Sequence, residues 1–130
     1  MAVTRIEFKE GMDGVREALQ NSIEKCGMKI YCVVDHYTDM RENGVTPAPV
    51  VTFLFGSHVL SSMLLGRNRE LALELPLSLA IVDRGDRRVV VFRDAHNIFT
   101  DFQVVNPEDL TNFINTSVDR IFGEMRAVIS

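Results

Sequence analysis

Three histidines stand where predicted elements begin or end: His36 closes a strand, His58 opens a helix, and His96 follows a second strand. With Asp35 or Asp94 beside them they form a candidate donor set, His36, His58 and His96, for a divalent metal or a haem iron. No pair has a ligand spacing such as His-x3-His or Cys-x2-Cys, so surface or capping roles outweigh ligation, and no cofactor is assigned. Asp35-His36 also places a carboxylate next to an imidazole, the pairing that orients a general base. Adjacent strand residues point to opposite faces, however, so each is expected to cap the following loop instead.

Gly56-Ser57-His58 opens a predicted helix directly after an apolar strand. Free N–H groups and the positive end of the helix dipole favour an anion there, and the glycine would let it approach the backbone. Ser57 is equally an ordinary N-cap. There is no glycine-rich phosphate loop and no Gly-x-Ser-x-Gly elbow, so no catalytic residue is assigned. The candidate binding set is Asp35, His36, Gly56, Ser57 and His58, with a small anionic or amphipathic ligand whose charged end meets Ser57 and His58.

The elements that must position these residues follow from periodicity. Thr4, Ile6 and Phe8 alternate with Arg5, Glu7 and Lys9, the pattern of a half-wet strand. Asp13 is the expected N-cap of a helix whose stripe is Val15, Ala18, Leu19, Ser22, Ile23 and Cys26, closed by Gly27. Residues 28–36 form a β-branched and aromatic strand, 37–49 a loop with one helical turn, and 50–55 a strand apolar on both faces. A short helix carries Val59, Leu60, Met63 and Leu64. Strands over 77–83 and 89–93 are joined by Arg84-Gly85-Asp86-Arg87. Asn106 as N-cap and Pro107 at the first helical position open the last helix, which keeps one apolar face from Leu110 to Met125. The expected fold is α+β, in the order β-α-β-β-α-β-β-α. About five strands form a mostly antiparallel sheet with three helices on one face.

The chain has 130 residues, 46% of them hydrophobic, and reads as one domain over residues 1–130. Fourteen basic against 18 acidic side chains leave a net charge of −4, which argues against a general nucleic-acid binder. No apolar run approaches the length of a membrane span, and residues 1–11 lack the apolar core of a signal peptide. Cys26 and Cys32 are expected as small buried hydrophobes and reduced thiols, which places the protein in the cytoplasm. In strand 28–36, strict alternation puts Ile30, Cys32 and Val34 on one face and Tyr31 and Val33 on the other, all apolar. Helices in a chain of this size cover only one side of the sheet. The other side is expected to meet a partner, most economically a second copy.

Gly27-Met28, Asp35-His36, Gly44, Pro47, Phe55-Gly56-Ser57-His58, Leu75-Pro76-Leu77 and Phe92-Arg93-Asp94 occur in an order and spacing similar to the family of domain of unknown function 302 (DUF 302). The likeness covers roughly residues 3–103. Ser57-His58 replaces the family's Asn-Pro, and Arg93 replaces a small polar residue, so the chain resembles a divergent member. The resemblance implies a small α+β fold with helices behind a sheet and a homodimer. It implies no established reaction. The expected function is a non-enzymatic cytoplasmic homodimer that binds a small ligand or a protein partner. The alternative is a metal- or haem-binding protein using the three histidines.

Overall fold

The computed structural model describes residues 3–46 and 48–130. Pro47, one of the residues carrying the family resemblance, lies outside the described residues. The predicted elements form, and the helical turn expected within residues 37–49 is a six-residue helix. They are strand β1 (Val3–Phe8), helix α1 (Met12–Lys25), strand β2 (Lys29–Asp35), a six-residue helix α2 (Tyr37–Glu42), strand β3 (Val50–Gly56), helix α3 (His58–Arg67), strands β4 (Leu77–Asp83) and β5 (Arg88–Arg93), and helix α4 (Glu108–Val128). A two-turn 3-10 helix over Arg69–Glu74 and a single 3-10 turn over Ala95–Asn97 complete the path.

Local chemistry accounts for most boundaries. Gly27 takes a left-handed conformation (φ +79°), which lets the Met28 N–H reach back to the Ile23 carbonyl at 3.1 Å and end α1. The Asp83 carboxylate accepts the Gly85 N–H at 2.8 Å and tightens the β4–β5 turn, where Gly85 has φ +92°. Two expected caps are corrected. α1 starts at Met12 with Gly11 before it, so Asp13 sits inside the first turn, where its charge complements the helix dipole instead of capping. Pro107 occupies the N-cap of α4, one position earlier than expected, and Asn106 turns the chain at φ +52° instead of capping. Asparagine tolerates that left-handed geometry better than most residues.

The five strands lie in the order β1-β5-β4-β3-β2, every neighbouring pair antiparallel. β2 to β5 form a meander, and β1 adds to its far side. α1 therefore carries the chain from one edge of the sheet to the other. Val51, Phe53 and Phe55 of β3, Leu77, Leu79 and Ile81 of β4, and Val90 and Phe92 of β5 point to the same side. There they meet Leu19 and Ile23 of α1, Leu60 and Leu64 of α3, and Ile114 and Ile121 of α4 in one buried cluster. On the opposite side stand Val34, Val50, Leu54, Ala80, Val82 and Val91, half-buried; among the described residues none of these joins that cluster.

β2 departs from the expected alternation. Ile30 pairs with Phe55, but Cys32 pairs with Leu54, so one extra residue, Tyr31, is inserted as a bulge. The side chains are redistributed accordingly. Ile30 and Val33 share the helix side, and Cys32 and Val34 share the open side, which overturns the grouping of Ile30 with Cys32 and of Tyr31 with Val33. Cys32 is exposed and Cys26 half-buried, so neither is the fully buried thiol expected.

Candidate functional site

The two halves of the candidate binding set occupy opposite ends of the sheet. Asp35 ends β2 on the helix side, in register with Val51. One of its carboxylate oxygens accepts the Tyr37 N–H at 3.0 Å, the expected loop cap. The other accepts an Arg16 guanidinium N–H from α1 at 3.3 Å. His36 points the other way. Its N–H reaches the Val50 carbonyl at 2.9 Å, extending the ladder, and its Nε2 lies 2.9 Å from the Thr52 hydroxyl on the open face. Because Asp35 and His36 diverge, the carboxylate does not orient the imidazole. Among the described residues no third side chain hydrogen-bonds the His36–Thr52 pair.

At the far end of β3, Gly56 is buried and Ser57 caps α3, its Oγ accepting the Leu60 N–H at 3.1 Å. His58 follows on the first turn, exposed. His36 sits beside the first residue of β3 and His58 two beyond the last, a separation of about 20 Å along a strand of this length. His96 is exposed in the 3-10 turn after β5, where Asp94 accepts its N–H at 2.9 Å. The three histidines are thus not brought together. Among the described residues no group of three His, Cys, Asp or Glu side chains could hold a metal ion. Nor could one ligand meet Ser57 and His58 at one end and His36 and Asp35 at the other.

Two concavities involve residues that periodicity did not single out. A groove of about 260 Å³ at the Gly56 end is lined by Tyr31, Gly56, Ser61, Leu65, Leu75 and Pro76. Gly56 forms its floor: a Cβ there would lie 3.6 Å from Tyr31 Cε2, in ordinary contact. The Lys29 ammonium stands 5.2 Å above the Tyr31 ring. Tyr31 reaches this position through the bulge, which leaves no mark in the alternation of a strand apolar on both faces. The second concavity is an open trough of about 520 Å³ between α1 and the free edge of β2, bounded by Gln20, Glu24, Met28, Lys29, Ile30 and Val33.

The Glu124 carboxylate hydrogen-bonds Lys25 at 2.8 Å and raises its pKa, and burial raises that of the neighbouring Cys26 thiol. The carboxylates of Asp86 and Glu7 strengthen the charge of Arg87 at the hairpin. These are features of the α1–α4 seam and the β4–β5 turn.

The family model for "Domain of unknown function DUF302" matches residues 4–129, including α4, which the sequence likeness had left out. The crystal structure of an uncharacterized conserved DUF302 protein from Bacillus stearothermophilus superposes with a TM-score of 0.88. That superposition covers 96% of this chain and 98% of that one at 13% identity, a likeness of fold. No curated protein matches the chain. With nearly its whole length matched by the family model and the expected α+β architecture in place, the chain belongs to the DUF302 family.

Proposed function

We propose that the protein is a non-enzymatic, cytoplasmic binding domain that works as a homodimer and receives a partner protein on the open face of its sheet. One observation carries this reading: the face opposite the three long helices is apolar at its centre, and the side chains there lie outside the buried cluster. Val34, Val50, Leu54, Ala80, Val82 and Val91 make the centre, and Arg5, Glu7 and Arg93 make a charged margin on the β1 side. An apolar centre with a polar rim is the anatomy of a protein interface. Five strands of six or seven residues span about 20 Å by 20 Å, a broad surface, whereas small-molecule sites are concave.

Photo-crosslinking separates the two faces. A benzophenone side chain at Val82 or Val91 is expected to trap the same protein, and one at Glu17 on the exposed surface of α1 to trap none of it. Equal capture from both sides of the molecule would overturn the reading. The groove beside Gly56 favours a second one, a small amphipathic ligand. Native mass spectrometry of the untagged protein decides that case: extra organic mass, lost in Gly56→Leu, would place binding in the groove.

A further inference from the structure

We infer that the two copies of the chain join edge to edge along β2, antiparallel, about a two-fold axis passing beside Val33 and Gln20, so that the two five-stranded sheets continue as one. This rests on the homodimer reading above and adds where the copies meet. The starting point is Val33, which is 40% exposed although it points to the helix side, in register with the buried Phe53. A partner on the open face leaves Val33 bare. Only a body beyond the free edge of β2 buries it, and the same body closes the outer side of the trough beneath α1.

The backbone of that edge is prepared for pairing. The His36 N–H bonds to β3, so by antiparallel alternation Val34 and Cys32 turn their amides inward, and Val33 and Asp35 turn theirs outward. An added strand finds these groups free. The opposite edge differs in where its charges stand: β1 carries Arg5 and Glu7 within the strand, a common guard against such pairing, whereas the charges of β2, Lys29 and Asp35, stand at its two ends.

Charge identifies the added strand as a second copy. Arg16, Gln20 and Glu24 are four apart and form one stripe of α1 above the trough. Arg16 is level with Asp35, which it contacts, while Gln20 and Glu24 overhang Val33 and Ile30. Arg16 to Glu24 spans about 12 Å of helix. Asp35 to Ile30 spans about 13 Å of strand once the bulge is discounted. The midpoints, Gln20 and Val33, therefore share a level. A two-fold axis there sets Arg16 of each copy opposite Glu24 of the other, beside a Val33–Val33 contact. The stripe is complementary to its own reversal, which an isologous interface requires.

Sedimentation velocity from low to high micromolar concentration tests this. The wild type is expected to dimerise reversibly, because a single-strand seam lies at the small end of stable interfaces. Val33→Pro removes one outward N–H, which an edge strand tolerates, and should weaken the dimer at least about tenfold with an unchanged circular dichroism spectrum. Val34→Pro, whose N–H faces β3, should instead unfold the monomer. A wild type that stays monomeric overturns the homodimer reading and this inference together. A Val33→Pro variant as dimeric as the wild type overturns the seam alone. If Val33→Pro fails to fold, the charge pair decides: Glu24→Arg weakens the dimer and the double change Arg16→Glu with Glu24→Arg restores it. Absence of that rescue overturns the seam.

Discussion

Phe53 and Leu54 are neighbours on β3, similar in hydrophobicity and opposite in fate. Phe53 is 2% exposed among the side chains of α1, α3 and α4, while Leu54 is half-buried on the face opposite the three long helices. Both faces of β3 are almost equally apolar, so composition does not decide which is covered. The helices decide it, since all three long ones present their buried residues to one side. The lesson is that surplus hydrophobicity on a strand marks a second surface to be met, whereas the matching stripe on a helix marks the surface that meets the first.

The largest expected effect tests that contrast directly. Phe53→Ala should cost about 3–5 kcal/mol, from lost transfer energy and the cavity left among rigid neighbours. Leu54→Ala should cost about 1 kcal/mol, because part of its surface is already in water and no rigid cavity is left behind. Urea denaturation at low protein concentration measures both. Equal losses would break the comparison by showing the open face covered in the isolated chain.

Much of this layout was legible in the residues. The stripe Val15, Ala18, Leu19, Ser22 and Ile23 names the buried side of α1, and Gly27 names its end, because helix period and left-handed capping are local rules. The paired turn around Gly85 is equally local. What stayed hidden was relational. That β1 joins β5, leaving β2 as the far edge, depends on how α1 crosses the sheet. The bulge at Tyr31 inverted the face assignment of β2 because a strand apolar on both sides gives alternation nothing to register against. The binding set failed to converge for the same reason. His36 and His58 each lie at a strand end, but at the opposite ends of one antiparallel ladder.

Ser57→Ala sharpens the contrast on the covered side. Ser57 caps α3, whose Leu60 and Leu64 are fully buried, so loss of the cap should cost about 1 kcal/mol, and Ser57→Asp should retain most of it. The loss should appear in the denaturation midpoint and leave partner capture at Val82 unchanged. A change in capture without a change in stability would instead return Ser57 to the binding site.

The smallest effect belongs to the polar pair on the open face. His36 Nε2 and the Thr52 hydroxyl, 2.9 Å apart, are both half-buried among valines, so each would lose a partner if the other were truncated. A double-mutant cycle with His36→Ala and Thr52→Val should give a coupling of about 0.5–1 kcal/mol, the ordinary worth of a neutral hydrogen bond. A hydroxyl both donates and accepts. The pair can therefore keep its bond in either tautomer of the neutral imidazole. A coupling well above that range would mean that the Thr52 hydroxyl is held toward His36 by some further contact. That contact would have to come from whatever covers the open face, since the three long helices lie on the other side.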